Sequence, residues 1–128
     1  MSATRQRLGR AGEALAAAAL ERRGMRILAR NERTRTVRGE LDLIALDGQA
    51  LVFVEVKARS AGSVAGPERP AEAVGHRKRI KLRALAMAWL RDHRGEVPAH
   101  DLIRFDVVGV HLDESGRARD LEHLRGAF

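Results

Sequence analysis

Gly39-Glu-Leu-Asp-Leu-Ile-Ala-Leu-Asp-Gly-Gln-Ala-Leu-Val-Phe-Val-Glu-Val-Lys57 decides how this chain folds. Two apolar runs of strand character flank a short turn. Side chains alternate faces along a strand. Leu51, Phe53, Glu55 and Lys57 therefore share one face, and Val52, Val54, Val56 and Ala58 the other. Upstream, Glu40, Asp42, Ile44 and Leu46 fall together, opposite Leu41, Leu43 and Ala45. Asp47-Gly-Gln-Ala50 suits a hairpin connection, with glycine able to take positive φ. A turn centred on Gly48-Gln49 pairs 47 with 50, and hence 42 with 55 and 40 with 57. A turn at Asp47-Gly48 pairs 42 with 53 and 40 with 55. Either register gathers Asp42, Glu55 and Lys57 on one face; a loop one residue longer does not.

Carboxylates set opposite one another repel. Beside Phe53 and Ile44 they are also partly desolvated, which raises their pKa unless a cation lies between them. A hard cation with oxygen ligands, Mg²⁺ or Mn²⁺, removes that conflict. Lys57 is then placed to orient an attacking water or to stabilise charge building on a phosphate. The same residues would also serve as solvent-facing charges on an amphipathic edge hairpin, and Glu-x-Lys alone occurs in many exposed strands. What singles them out is the combination with Asp42 across the turn.

Outward from the hairpin, composition bounds the function. A chain of 128 residues holds one domain with a single core. It has no long apolar run for a membrane span, no signal-peptide pattern and no cysteine, which together fit a cytoplasmic protein without disulfides or thiolate metal sites. The aromatics are Phe53, Trp89, Phe105 and Phe128, too few for a base-stacking platform. The net charge of +7 favours a polyanionic partner, nucleic acid above all, over an inert basic surface, because the charge is clustered. His76-Arg-Lys-Arg-Ile-Lys-Leu-Arg83 holds five Lys or Arg and no acid. Residues 22–38 carry Arg22, Arg23, Arg26, Arg30, Arg33, Arg35 and Arg38 against Glu32. Arg38, Arg59, His76, Arg77, Lys78 and Lys81 are the expected nucleic-acid contacts, touching phosphates rather than base edges.

Residues 4–23 predict a helix, with Leu8, Ala11, Leu15, Ala18 and Ala19 on one stripe and Gly24 at its end. Glu13 lies off the charged face, among Gly9, Arg10, Ala16 and Ala17. It reads either as an exposed acid paired with Arg10 or as an acid sitting close under another element. Strands are expected at Met25–Asn31, at about 37–47 and at 50–58, followed by a loop over 59–70 that either orders around substrate or serves as a plain linker. A helix over 71–94 buries Leu82, Leu85, Ala86 and Trp89 and stops at Gly95. Leu102–Leu112 is a strand with Ile103, Phe105, Val107 and Gly109 on one side and Arg104 and Asp106 on the other. Residues 117–128 read as a tail. The five histidines, His76, His93, His100, His111 and His123, lack metal-ligand spacing and read as surface residues, with His76 a candidate phosphate contact. The element order predicts an α/β sandwich whose mixed sheet lies between helices.

The element order and the Asp42…Glu55-Val-Lys57 constellation resemble the PD-(D/E)XK nuclease superfamily, with its restriction-endonuclease-like αβββαβ core. More closely, nearly the whole chain resembles the YraN family of uncharacterised bacterial proteins, predicted endonucleases related to archaeal Holliday-junction resolvases. Gly12-Glu13, Gly39-Glu-Leu-Asp-Leu-Ile-Ala45, Leu51-Val-Phe-Val-Glu-Val-Lys-Ala-Arg59, Arg104-Phe-Asp-Val-Val108 and Ala127-Phe128 carry the match. The resemblance implies one nuclease-like domain over 1–128 and Mg²⁺-dependent hydrolysis of phosphodiester bonds in DNA, branched or junction DNA included. It implies that Asp42 and Glu55 bind the metal, with the Val56 backbone carbonyl nearby. Lys57 matches the catalytic lysine, and Glu13 the first-helix glutamate that supports the metal site. Leu41 stands where the superfamily pattern has proline. A junction substrate would call for two active sites and hence a homodimer. The alternative is a non-catalytic nucleic-acid-binding module or accessory factor on the same fold.

Overall fold

The computed structural model describes residues 3–60 and 74–128, with side chains from residue 7 onward. Alanine-rich Ala3–Arg22 forms α1, as its helix propensity dictates. Its buried stripe is turned slightly from the expected one: Ala16, Ala17 and Leu20 are fully enclosed, while Leu8, Ala11 and Leu15 are partly so. Gly24, at φ +91°, ends the helix and lets the Met25 amide return to the Leu20 carbonyl at 3.0 Å.

Five strands follow: β1 (Arg26–Glu32), β2 (Leu41–Asp47), β3 (Ala50–Arg59), β4 (Leu102–Leu112) and β5 (Ala118–Leu124). Between β3 and β4 lies helix α2 (His76–Asp92). The strands stand in the order β1-β2-β3-β4-β5, antiparallel except for the β3/β4 pair. Parallel neighbours need a crossover, and the segment containing α2 supplies it. The β2–β3 hairpin adopts the register with Asp47 opposite Ala50 and Leu43 opposite Val54.

Four boundaries depart from the sequence expectation. The second strand begins at Leu41 rather than 37, because Val37 is held in a turn by both hydrogen bonds of Thr34 Oγ1. Gly39, at φ +129°, then breaks any extended run. Arg59 closes β3 instead of opening a loop. Helix α2 begins at His76, after Val74 and Gly75, and ends at Asp92; residues 71–73, and most of the expected 59–70 loop, lie outside the described residues. The expected tail contains β5, an edge strand that Leu121 and Leu124 alone mark with large apolar side chains.

Two cores line the two faces of the sheet. Leu43, Ala45, Val52, Val54, Val108 and Val110 pack under α1; Ile44, Leu51, Phe53, Phe105 and Val107 pack under Leu82, Leu85, Ala86 and Trp89 of α2. Covered on both sides, β3 buries Leu51 to Val54 without a break, as an interior strand between helix layers should. Among the described residues no helix is long and apolar enough to cross a membrane.

Candidate active site

The hairpin opens into a fork at one end. Pairing between β2 and β3 runs only as far as Leu43–Val54. Beyond it, the Val56 amide donates to Asp42 Oδ2 at 2.8 Å. A side chain thus satisfies a backbone group that the hairpin ladder leaves open, and Asp42 sits in the mouth of the fork.

Glu13 approaches from the α1 side. Gly12 makes this possible: a Cβ there would lie 2.5 Å from Ala58 Cβ and 3.9 Å from Val56 Cγ1. Helix and strand meet almost backbone to backbone, which sets Glu13 beside Asp42. Burial, and then the Asp42 charge, push the Glu13 carboxyl up to about 7. Arg10 stands 3.6 Å from it and bridges to Glu40 at 3.5 Å, while Arg33 reaches Glu40 at 3.2 Å. Glu13 keeps the Arg10 partner of the first sequence reading but not its exposure: its side chain is 13 % exposed and sits close under the sheet, as in the second.

Glu55 approaches from the α2 side, on the face of Phe53. Its side chain is only 7 % exposed. Burial first, and then the Asp42 charge, push it up to about 7 against the opposing pull of Lys78 and Lys57. Among the described residues Glu55 Oε2 is buried with no hydrogen-bond partner. Native structures leave few buried polar atoms unpaired, and each one needs a reason. Lys78 Nζ, from the first turn of α2, lies 3.9 Å from Glu55 Oε1; Lys57 forms no ion pair among the described residues.

Among the described residues no three His, Cys, Asp or Glu side chains are arranged to hold a metal ion by themselves. The donors present nevertheless fit a hard dication. They are carboxylate oxygens, one of them orphaned, and Mg²⁺ commonly takes one or two carboxylates while keeping waters and substrate phosphates as its other ligands. Asp42 and Glu55 would hold it. Val56 enters the site through its amide, and Glu13 borders it through Asp42.

The basic stretch divides in two. Arg79 and Arg83 lie over the Phe128 ring, each 5.5 Å from its centre, and Arg83 also covers Phe105 at 5.6 Å. These two pin α2 to the C-terminal residues. His76, Arg77, Lys78 and Lys81 are exposed. Lys81 lies beside Gly39, where an added Cβ would come within 3.5 Å of its Cε, so the exposed Arg38 adjoins the same surface. Arg59 is half-buried at the end of β3. A recess of about 200 Å³ between α1 and β5, lined by Leu15, Ala19, Arg22, Arg23, Ala118 and Leu121, shares no residue with this site.

The sequence reading missed a second buried acid and misplaced a histidine. Asp106 is fully enclosed. It accepts hydrogen bonds from Arg104 Nε and Nη2 at 2.9 and 3.0 Å, and from the Gly126 amide at 3.0 Å; His123 Nε2 lies 2.8 Å away. Arg104 continues to Asp47 at 2.9 Å. Burial alone would raise the Asp106 pKa, but His123, Arg104 and Gly126 together hold it below the usual carboxylate value. His123, expected at the surface, is 2 % exposed, because β5 pairs it with Val108 and turns it onto Asp106.

The profile of the uncharacterised protein family UPF0102 matches residues 12–110. Curated relatives from three bacteria, each described only as a UPF0102 protein, are similar along their length. That of Anaeromyxobacter dehalogenans is 52% identical over 97% of this chain and 85% of its own. The Arthrobacter sp. protein is 49% identical over 93% of each, and that of Pelotomaculum thermopropionicum 44% over the whole of both.

Proposed function

The chain belongs to the UPF0102 family, the YraN-type family of its sequence resemblance, and from its own side chains we propose that it is a metal-dependent endonuclease acting on DNA. The observation that carries this reading is the buried, unpartnered Oε2 of Glu55 in a site shared with Asp42. Two crowded, desolvated carboxylates are unfavourable for a fold that has no cation to place between them. Asp42 and Glu55 would hold Mg²⁺ or Mn²⁺; when bound, such an ion lowers the pKa of water and neutralises charge on a phosphoryl oxygen.

The chain's own groups do the rest. The Val56 amide fixes the Asp42 carboxylate in the fork. Lys57, unpaired among the described residues, points its charge to where negative charge builds on the phosphate. Glu13 stands behind Asp42 on the far side. The exposed His76, Arg77 and Lys81 border the same end of α2, whose first turn holds no acid and no side-chain cap. Cations crowd the positive end of a helix dipole there, an unfavourable arrangement that a polyanion relieves.

The test is incubation with four-way junction, flap, duplex and single-stranded DNA, with Mg²⁺ or Mn²⁺. Cleavage by the wild type and none by Asp42→Ala is the expected result. The exposed cations of α2 would equally serve a second reading, a nucleic-acid-binding module without catalysis. That reading predicts DNA binding with no cleavage and no rise in melting temperature on adding divalent metal.

A further inference from the structure

Lys78 differs from its basic neighbours. Arg79 and Arg83 are locked onto Phe128, and His76 and Arg77 face solvent. Lys78 instead leans back to Glu55, with its side chain still 46 % exposed. At 3.9 Å the contact is beyond hydrogen-bond range. The ammonium is held by charge alone, on a flexible stem, beside a carboxylate whose other oxygen has no partner.

We propose that Lys78 is a displaceable internal cation: it neutralises Glu55 in the metal-free protein, gives that carboxylate up to a divalent ion, and then transfers its charge to a backbone phosphate of the bound nucleic acid. This rests on the metal-dependent reading above. An ammonium that shares the Glu55 carboxylate with a dication is repelled by twice the charge that attracts it, so at comparable distances the lysine is the one to leave. Helix α2 does not have to move, because Arg79 and Arg83 anchor it to the C-terminal aromatics. Only the side chain swings, from the site to the exposed face that already carries Arg77 and Lys81. Lys57, on β3 and without an ion pair among the described residues, stays at the site. Metal and nucleic acid then favour each other through one side chain, and the coupling is reciprocal.

Two measurements on the intact protein test this, using Lys78→Met, which keeps the apolar stem and removes the charge. Calorimetry with Mn²⁺ should show the variant binding about five-fold or more tightly than wild type, because the competing cation is gone. Fluorescence anisotropy with duplex DNA, over a salt series with and without Ca²⁺, should show an extra steepening of roughly 0.9 in the wild-type slope when Ca²⁺ is present, relative to the variant. Equal or weaker Mn²⁺ affinity in the variant, or equal slope changes, overturns the role of Lys78 while leaving the metal site standing. A wild type that binds no Mn²⁺ overturns both.

Discussion

Glu55 and Asp106 are buried acids on adjacent strands, and Asp106 is opposite Val54, the residue before Glu55. They nevertheless end in opposite conditions. Asp106, on the face of Val108 and Val110, is surrounded by Arg104, His123 and the Gly126 amide, and its pKa is depressed. Glu55, on the face of Phe53, has a single loose cation at 3.9 Å and an orphaned oxygen, and its pKa is raised to about 7. The difference teaches that burial of a charge does not by itself mark a functional site. A satisfied acid is part of the scaffold. An acid left short of partners is held ready for something that the chain does not supply.

Stability should separate the two most sharply. Asp106→Ala leaves Arg104 and His123 facing a buried gap, and breaking such a network typically costs about 3–5 kcal/mol. Glu55→Gln removes a buried charge with only a loose partner and should leave the metal-free protein as stable as wild type or more so. Urea denaturation of both variants checks the contrast, and similar losses in the two would erase it.

Rate should separate them in the other direction. Lys57→Ala should slow cleavage by about 10²–10³, with DNA affinity and melting temperature near wild type. A variant that cleaves at full speed would remove Lys57 from the chemistry.

Geometry ties the Glu55 site to α1. Gly12→Ala drives a methyl into Ala58, whose Cβ is fixed to the strand backbone and cannot yield. A loss of about 1–3 kcal/mol in thermal melts is expected from such overpacking, together with weaker Mn²⁺ binding as Glu13 shifts. Unchanged Mn²⁺ binding would detach α1 from the site.

The pH dependence should carry opposite signs. Glu13 and Glu55 have folded-state values raised from 4.5 to about 7. Their contribution is fully present below 4.5 and lost as pH rises through about 7. Asp106 is depressed, so its contribution is present above the ordinary carboxylate value and lost as pH falls through the lower folded one. Metal-free melting temperatures should fall as pH rises from 4.5 to about 7, and a Glu13→Gln/Glu55→Gln variant should flatten that fall. An identical slope in the variant would deny the raised values.

The smallest effect belongs to the exposed basic face. Arg77→Ala with Lys81→Ala should weaken all duplex sequences alike and flatten the salt dependence by up to roughly two units. An unchanged slope would move the nucleic-acid surface elsewhere.

The Glu55 side of this contrast was legible in the sequence and the Asp106 side was not. Alternation and turn chemistry are local, so spacing alone could propose one hairpin face for Asp42, Glu55 and Lys57, and the observed register is one of the two expected. At the mouth of the fork the alternation fails, because Leu41, expected on the face opposite Ile44, packs with it under α2. Glu13 depends on a close helix–strand approach at Gly12, a contact between distant segments that spacing does not encode; only the family resemblance drew it in. Arg104 and Asp106 looked like the polar face of an amphipathic strand. Their enclosure depends on β5, whose Arg119, Asp120 and Glu122 disguise an edge strand as a charged tail. The sequence put Lys78 in the basic first half of a helix expected to start at 71; it lies in the first turn only because α2 begins at His76, and its lean toward Glu55 could not be read from one helix. It needs the crossover that lays α2 over β3.

The bond from the Val56 amide to Asp42 has a consequence of a different kind. Most amides of an interior strand are locked by their neighbours and exchange with solvent only when the sheet opens. The Val56 proton is held by a carboxylate at the rim, so its exchange follows the comings and goings of one side chain. It is a clock inside a buried interior strand, and its rate records how firmly Asp42 is held.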